Sequence, residues 1–550
     1  MTGVIGGYIP FVAVFTLLAI LYVPLGGYMA KVFTGANDLK IEKAIYKVLG
    51  VDSSARQTWR RYAGSLLAFS MFSIIVLYLL QRLQQYLPWA HGMGPVDPDQ
   101  AWNTAVSFTT NTNWQSYSGE TAMSQLTQML GMTVQNFVSG AVGISVAAAL
   151  IRGFAARNGD GRIGNFWVDL TRVCLRILLP MATLGALFLM TQGVIQNLQP
   201  PVTFTTVTGA TQTIPGGAVA SQEVIKELGT NGGGYFNANS AHPFENPTVW
   251  SNALEIFLIL VIPVSLTRTF GLMVRDTRQG YAILSAMAVL YFLSLASVTA
   301  LEATASGAIG GGMEGREMRL GTIPSALFAV TTTMTSTGAV DSFHSSYTPL
   351  GGGLLILNML LGEVSPGGVG TGLYGMLVMA ILSVFIAGLI VGRTPEYLGK
   401  RIGVGEMIKV CLYVLVMPTL VLGGVALSVL LPSTPDSLSA AGPHGFSDLV
   451  YAFTSASNNN GSAFAGFGAD TWWFNISLGM CMLLGRFLPI VMVLAIAGAM
   501  AKQRIIPTTS GTLPTHSGLF VGLLIGVVLI VGALTFLPTL VLGPILEATL

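Results

Sequence analysis

Charged residues are scarce in this chain. Asp, Glu, Lys and Arg make up 9% of its 550 residues, hydrophobic residues make up 52%, and the mean hydropathy is +0.67. Soluble domains carry roughly 25% charged residues, so the composition excludes an ordinary soluble protein and indicates a polytopic protein embedded in a lipid bilayer. The formal net charge of +2 is too small to favour nucleic acid, and no nucleic-acid partner is expected.

Catalytic and metal-binding patterns are also missing. The three cysteines fit no disulfide or metal spacing, and the five histidines lie scattered in loops, where solvated side chains are expected. The chain has no Gly-x-x-x-x-Gly-Lys-Ser/Thr loop for phosphates and no Asp-Lys-Thr-Gly phosphorylation motif. We therefore expect no catalytic site and no organic cofactor in this chain, which argues against a membrane-embedded enzyme. Energy for any transport has to come from a partner or from an ion gradient.

Long apolar runs are present instead. Ten of them approach or exceed the roughly 20 residues that a helix needs to cross a bilayer, and the seventh is interrupted. The predicted spans lie near 8–30, 63–87, 129–151, 172–196, 251–270, 281–301, 354–392, 408–431, 472–501 and 517–541.

The basic residues orient these spans. All but five of the 26 Lys and Arg lie in or beside the loops that follow the odd-numbered spans; the five are Arg82, Lys226, Arg316, Arg319 and Arg486. Loops rich in Lys and Arg stay in the cytoplasm. Both termini are therefore expected on the extracellular or periplasmic side.

The loops on the other side repeat one pattern four times. After the second, fourth, sixth and eighth spans, a short helix is predicted near 99–109, 219–228, 322–331 and 446–454, and a stretch rich in Thr, Ser, Asn and Gly follows it. We call these stretches the first to fourth polar segments; they cover 109–115, 229–234, 333–338 and 454–461. The second contains three consecutive glycines, which allow positive φ and close approach to a ligand.

This pattern predicts a cation filter built from backbone carbonyls. A short re-entrant helix directs the negative end of its dipole at the membrane centre, and rings of carbonyls replace the hydration shell of K⁺. No Asp or Glu, the ligands that Ca²⁺ and Mg²⁺ prefer, lies in the four segments. The first segment lacks glycine, but Asn tolerates positive φ, so an asymmetric ring is expected. The alternative is that the segments are ordinary polar loops at helix ends. The expected filter residues are Thr112, Asn113, Trp114, Gln115, Thr230, Asn231, Gly232, Gly233, Ser336, Thr337, Gly338, Asn459, Asn460 and Gly461.

The predicted fold class is an all-α polytopic membrane protein. Four fused repeats of span, pore helix, filter and span surround one pseudo-fourfold pore, with one extra span at each end. The predicted boundaries are 1–61 for the N-terminal extra span and loop, 62–162, 163–278, 279–401 and 402–504 for the four repeats, and 505–550 for the C-terminal extra span.

Two ionisable residues interrupt the apolar spans. Arg486 lies midway along the ninth span, where an arginine costs roughly 2.5–3.5 kcal/mol on insertion scales. Glu363 lies in a glycine-rich break from 362 to 372, which includes Gly367, Gly368 and Gly370 and cannot continue a helix. Both residues are interpreted as parts of a gate below the filter. The alternative is an ion pair between them that only holds helices together.

Three of the segments carry a family resemblance. The resemblance is carried by the stretches Asn111 to Glu120, Gly229 to Thr248 and Ser457 to Gly466. They resemble the Kdp potassium-binding family, the A subunits of potassium-transporting ATPases, and the resemblance extends over the whole chain. It implies a protein that binds external K⁺ in a bacterial inner membrane and passes it to a P-type ATPase, the B subunit, alongside two small subunits, C and F. The remaining alternative is a Trk/Ktr/HKT-like uptake pore that works without an ATPase partner.

Overall fold

Nearly all of the regular structure is helical. The computed structural model describes residues 2–304, 312–392, 394–506 and 513–550; Arg393, in the basic loop after the seventh predicted span, lies outside them. The helices are α1 (Thr2–Thr34), α2 (Lys40–Leu49), α3 (Trp59–Leu83), α4 (Pro98–Thr109), α5 (Gly119–Ala122), α6 (Val134–Ala155), α7 (Phe166–Arg172), α8 (Leu179–Thr191), α9 (Val219–Leu228), α10 (Val249–Met273), α11 (Thr277–Thr304), α12 (Thr322–Met334), α13 (Pro349–Leu360), α14 (Thr371–Val391), α15 (Val404–Val429), α16 (Pro443–Asn458), α17 (Trp472–Lys502) and α18 (Gly518–Leu540).

Strands are few and short. They form three antiparallel two-stranded ribbons within the described ranges: β1 (Gln57–Thr58) with β2 (Arg162–Gly164), β3 (Val202–Thr205) with β4 (Thr211–Ile214), and β5 (Glu396–Tyr397) with β6 (Lys400–Arg401).

The described part of the chain contains ten helical stretches that are long and apolar enough to cross a membrane. They coincide with the ten predicted spans, and the interrupted seventh span consists of α13 and α14, separated by residues 361–370. The four short helices are α4, α9, α12 and α16, each of which lies between two spans. The predicted fold class is therefore confirmed.

Burial separates inner from outer spans. The next membrane-spanning helices after the polar segments are α6, α10, α14 (the second half of the broken span) and α17. They bury 83, 78, 56 and 61% of their most apolar stretch inside the protein. The spans that precede the short helices bury only 33, 33, 44 and 17%. Each repeat thus contributes one inner helix to the centre and one outer helix to the lipid-facing side. The first and last spans are also peripheral, at 28 and 33%.

Side-chain caps fix where several inner elements begin. The Thr248 hydroxyl accepts the N–H of Ser251 at the start of α10, and Thr348 accepts that of Gly351 at the start of α13. Thr471 does the same at α17. Such caps satisfy N–H groups that a helix start leaves unpaired. At their C-termini, α12 and α16 run to Met334 and Asn458, a turn beyond the predicted ends, so the first residues of the third and fourth polar segments are helical.

Candidate functional site

The four short pore helices end with the same backbone turn. Just beyond each helix, a residue other than glycine adopts a left-handed conformation, with φ between 47 and 73°. The next N–H then donates to the carbonyl five residues earlier, at 3.0 to 3.2 Å in three repeats and 2.9 Å in the fourth. This Schellman-type cap directs all four chains away from their helices in the same way. The left-handed residues are Asn111, Thr230, Ser336 and Asn459.

The segments that leave these caps converge. A Cβ atom placed on Gly232 would lie 2.5 Å from the Thr112 carbonyl oxygen and 2.8 Å from that of Asn460. One placed on Gly338 would lie 2.0 Å from the Asn460 oxygen, and one on Gly461 would lie 1.9 Å from the Thr112 oxygen. The backbones of all four repeats therefore meet at one place, where only glycine fits at three of the four positions.

Side chains bind the segments to one another. The Asn111 amide donates to the carbonyls of Gly229 and Thr230, at 3.1 and 2.8 Å, and the Asn459 amide donates to the Thr112 hydroxyl at 2.9 Å. These bonds connect the first segment to its two neighbours. Each of these residues is buried, so the polar backbone is enclosed by protein rather than by lipid.

A cavity of about 550 Å³ opens above the convergence. It is lined by residues from all four repeats, among them Asn113, Gln115, Gly233, Gly338 and Gly461. Gln115 accepts the N–H of Gly234 at 2.9 Å, which joins the first and second segments at the cavity floor. Trp114 is buried against Phe467, with ring centroids 6.5 Å apart, so its side chain packs the first segment against the fourth repeat.

The break in the seventh span lies against the opposite side of the segments. Its Val369 N–H donates to the Thr230 hydroxyl at 3.0 Å, and its Gly367 N–H donates to the carbonyl of Met334 at 3.0 Å. A Cβ on Gly370 would lie 2.0 Å from the carbonyl oxygen of Gly143 in α6. The break therefore packs against three repeats through its backbone, and its glycines allow that approach.

The two intramembrane charges do not form an ion pair. Glu363 accepts the Asn460 amide N–H at 2.7 Å, whereas a guanidinium N–H of Arg486 faces the Ser139 carbonyl in α6 at 3.4 Å. Both side chains are buried, and the second carboxylate oxygen of Glu363 has no hydrogen-bond partner among the described residues. The alternative of a helix-holding ion pair is therefore wrong.

A charged cluster behind the second segment was missed by the sequence reasoning. Lys226, on α9, contacts the carboxylate of Glu223 at 2.7 Å and the side-chain oxygen of Asn239 at 2.9 Å. The Asn239 amide in turn donates to the carbonyl of Gly233. Glu227 and Glu255 complete the cluster, and all of these side chains are buried. The i, i+4 spacing of Glu223 and Glu227 on a short helix was the available signal.

One histidine departs from expectation. His344 lies in a short helical turn after the third segment and is 1% exposed, rather than solvated. Its ring contacts Tyr451 in the fourth pore helix, with 2.7 Å between Nδ1 and the hydroxyl oxygen.

Comparisons with known proteins agree with this architecture. The family model described as potassium-transporting ATPase A subunit matches residues 12–549. A potassium-transporting ATPase potassium-binding subunit from Streptomyces coelicolor is 58% identical over 551 residues, which is 100% of this chain and 99% of the relative. The protein of the same description from Mycobacterium avium is 56% identical, with full coverage of both chains. Among solved structures, the potassium transporter TrkH from Vibrio parahaemolyticus superimposes with a TM-score of 0.52 at 13% identity, over 79% of this chain and 84% of that one.

Proposed function

Because the chain belongs to the family of potassium-transporting ATPase potassium-binding subunits, we propose that it selects external K⁺ in its four polar segments and delivers the ion to the P-type ATPase, or B subunit, of the same complex. The small subunits C and F complete the proposed complex. The chain is a non-catalytic part of a K⁺-transporting ATPase, and ATP hydrolysis is assigned to the P-type ATPase partner.

The observation that carries this proposal is the convergence of four backbones at Thr112, Gly232, Gly338 and Asn460. Carbonyl oxygens meet there, and the four segments contain no carboxylate. Such a set of neutral oxygens favours a large, weakly hydrated cation over Ca²⁺ or Mg²⁺. The proposed filter comprises the fourteen residues predicted above, with backbone carbonyls as ligands and the cavity above them as the entrance.

We infer that the gate consists of Arg486 and the glycine-rich break, which was predicted at 362–372 and lies at 361–370 between α13 and α14. A pump would be short-circuited if K⁺ ran from the filter straight into the cytoplasm, so the axis has to be closed below the segments. The break packs under three repeats, and the buried charge of Arg486 repels a cation. At a separation of about 6 Å and an effective dielectric constant of about 20, that repulsion is about 3 kcal/mol.

Ions are proposed to leave sideways. A second cavity, of about 70 Å³, lies beside the break and is lined by Asn458, Gly362, Val364 and Tyr413, together with residues of α18. It extends from the end of the fourth pore helix toward α15 and α18, both of which are peripheral. This lateral position supports an exit toward a partner protein.

The first test concerns partner dependence. The purified chain is expected to bind K⁺ without hydrolysing ATP, and co-expression with the P-type ATPase partner should yield K⁺-stimulated hydrolysis. Rapid K⁺ uptake by the chain alone in vesicles, driven only by membrane potential, would instead support the Trk-like alternative. The fold shared with TrkH is compatible with either function, whereas the names of the close relatives favour the ATPase complex.

The second test concerns the gate. Replacing Arg486 with Gln should raise passive K⁺ leak through the assembled complex by roughly 100-fold, as the lost repulsion implies, and should lower the K⁺ moved per ATP. Glu363→Gln keeps an acceptor for Asn460, and the double variant with Gln at both positions shows whether the remaining carboxylate of Glu363 contributes to the leak. If the Arg486 variant leaks no more than the parent, the axis is closed elsewhere.

The membrane and orientation follow from the same proposal. The chain is a multi-pass membrane protein. We place it in the bacterial inner membrane with both termini outside, because the basic loops then face the cytoplasm. Labelling of cysteines introduced at Ser54 and Thr208, which lie on opposite sides in this topology and are exposed, tests the orientation directly.

A further inference from the structure

A chain of buried hydrogen bonds leads from an outer loop to the fourth polar segment. His344 Nδ1 contacts the Tyr451 hydroxyl at 2.7 Å, and that hydroxyl contacts the Ser462 hydroxyl at 2.7 Å. The Ser462 hydroxyl donates to the Asn460 side-chain oxygen at 2.5 Å. The Asn460 amide then donates to Glu363 at 2.7 Å, in the break of the seventh span. All five residues are buried.

The donor and the acceptor of every hydrogen bond in this series can be assigned. The Asn460 amide also donates to the Thr332 carbonyl at 2.9 Å, and a carbonyl only accepts, so the amide nitrogen has to face Thr332 and the amide oxygen has to face Ser462. The single hydroxyl hydrogen of Ser462 is then donated to the Asn460 side-chain oxygen. Ser462 therefore accepts from Tyr451, and Tyr451 accepts from a proton on His344 Nδ1.

This polarity fixes the state of His344. Its ring has to carry a hydrogen on Nδ1, while Nε2 has no hydrogen-bond partner among the described residues. Burial, together with the nearby Arg316 guanidinium, lowers the pKa of His344 to about 3, so the ring is neutral. A buried ring nitrogen without a partner costs free energy. Stability alone therefore gives a poor explanation for a buried histidine at this position, whereas its Nδ1–H has a specific role as the donor to Tyr451.

The chain of bonds acts on a residue of the carbonyl convergence. A Cβ on Gly338 or on Gly232 would contact the backbone carbonyl oxygen of Asn460. The Asn460 side chain makes four hydrogen bonds: it donates to Thr332 and Glu363, and it accepts from the hydroxyl and the backbone N–H of Ser462. Thr332, Glu363 and His344 belong to the third predicted repeat, so the fourth segment is held between an outer and an inner part of its neighbour.

We infer that His344, Tyr451 and Ser462 are positioning residues that set ion preference by fixing the orientation of Asn460, although none of them is itself in the ring of carbonyls. The inference rests on the proposed function, because it presumes that the Asn460 carbonyl faces the ion. Selectivity among monovalent cations depends on the placement and field strength of the carbonyls. Without the Tyr451 hydroxyl, the Ser462 hydroxyl loses the donor that orients it toward Asn460, and one of the four hydrogen bonds that hold the Asn460 side chain is weakened.

Tyr451→Phe is the main test, in the assembled ATPase complex. The ring stays packed on Phe464, with centroids 4.4 Å apart, and only the hydroxyl is lost. The K⁺ concentration for half-maximal ATP hydrolysis should rise about five-fold, the equivalent of one buried hydrogen bond, and the K⁺ over Rb⁺ preference should fall. Maximal hydrolysis at saturating K⁺ should change little.

Tyr347→Phe is the matched control. Tyr347 is also buried, lies 5.7 Å from the His344 ring, and loses one hydroxyl contact, to Ser342 at 3.0 Å, but it is outside the chain of bonds. It should keep the parent's affinity and ion preference. A merely structural role for Tyr451 predicts that both variants lower the melting temperature without changing ion preference.

Variants at His344 provide an independent readout. His344→Asn places an amide N–H near the position of Nδ1–H and should retain the parent's K⁺ over Rb⁺ preference, whereas His344→Ala and His344→Gln should shift it as Tyr451→Phe does. If Tyr451→Phe, His344→Ala and His344→Gln all match the parent while Gly338→Ala changes ion preference, the inference about positioning residues is wrong and the filter assignment stands. If Gly338→Ala is silent as well, the proposed function itself fails.

Discussion

Gly338→Ala should weaken K⁺ binding by more than a general loss of folding stability would explain. Gly338 has a φ of 80°, a left-handed conformation that costs an alanine roughly 1–2 kcal/mol. The added Cβ would also lie 2.0 Å from the Asn460 carbonyl oxygen, well inside the 3.4 Å at which ordinary contact begins. One of the two backbones has to move by more than an ångström, and overpacking of this kind costs typically about 1–3 kcal/mol.

Gly442 separates these two contributions. It has a φ of 75° and a ψ of −148°, a conformation that also strains an alanine, and a Cβ there would meet no atom within 4 Å. Gly442→Ala therefore carries a conformational cost without a steric clash. We expect the K⁺ concentration for half-maximal hydrolysis to rise at least about ten-fold in Gly338→Ala, equivalent to about 1.4 kcal/mol, and to stay at the parent value in Gly442→Ala.

The assay is K⁺-, Rb⁺- and Na⁺-stimulated ATP hydrolysis by the reconstituted complex, with thermal melting measured in parallel. Gly461→Ala should be as severe as Gly338→Ala, since its φ is 105° and its Cβ would lie 1.9 Å from the Thr112 oxygen. Gly232→Ala should be milder, because its nearest contact is 2.5 Å. The reasoning is refuted if Gly338→Ala and Gly442→Ala show the same ion affinity and the same preference.

Two further predictions concern buried charges near the segments. Lys226→Met leaves the carboxylates of Glu223 and Glu227 without their ammonium partner, so the protein should lose about 3–5 kcal/mol of stability. The double variant with Glu223→Gln should regain part of that stability, and an unchanged melting temperature in Lys226→Met would contradict the prediction. Burial raises the pKa of Asp341 to about 7 from 3.8, so the folded state holds this proton more tightly than the unfolded state, and stability from this group is lost as pH rises from about 4 to 7. The stability of Asp341→Asn relative to the parent should therefore increase across that range. It should reach about 4 kcal/mol above pH 7, at about 1.36 kcal/mol per pKa unit. Parallel plots of melting temperature against pH for the two proteins, from about pH 5 to pH 8, would contradict the prediction.

Local patterns predicted much of the fold because each span has its own signal. Length, hydropathy and the placement of Lys and Arg are independent of the rest of the chain, and the predicted pore helices near 99–109 and 219–228 coincide with α4 and α9. The ends of α12 and α16 were placed too early. Thr332, Thr333 and most of Thr454 to Asn458 are polar, but they remain helical because neighbouring repeats enclose them and supply partners such as the Asn460 amide for the Thr332 carbonyl.

The shared cap was not predictable from residue type. A left-handed residue after a helix is usually glycine, sometimes asparagine, and two of the four positions here hold Thr230 and Ser336. Sequence reasoning therefore assigned the special backbone to the glycines and asparagines alone. At Gly232 the constraint is close approach of another backbone, rather than a left-handed turn.

Contacts between repeats were beyond the sequence altogether. Asn460 and Glu363 are 97 positions apart, and His344 and Tyr451 are 107 apart. Arg486 and Glu363 are opposite charges within the membrane and suggested an ion pair, yet each bonds to a different repeat. Pairing of this kind depends on how the repeats pack around the centre, which no local pattern encodes. The assignments of ion ligands and repeat boundaries stay predictions.

The fusion of four repeats in one chain explains why their backbones agree while their surroundings differ. The caps are equivalent, but each segment is held by its own side chains: Lys226 and Asn239 act behind the second, and Ser462 and Tyr451 beside the fourth. Among the described residues, the broken inner span belongs to the third repeat, and its break contacts the second and fourth segments through Val369 and Glu363. A tetramer of identical protomers would repeat such a break four times. A single chain can differ from side to side around the axis, and this asymmetry is what the proposed one-sided closure and lateral exit toward one partner would need.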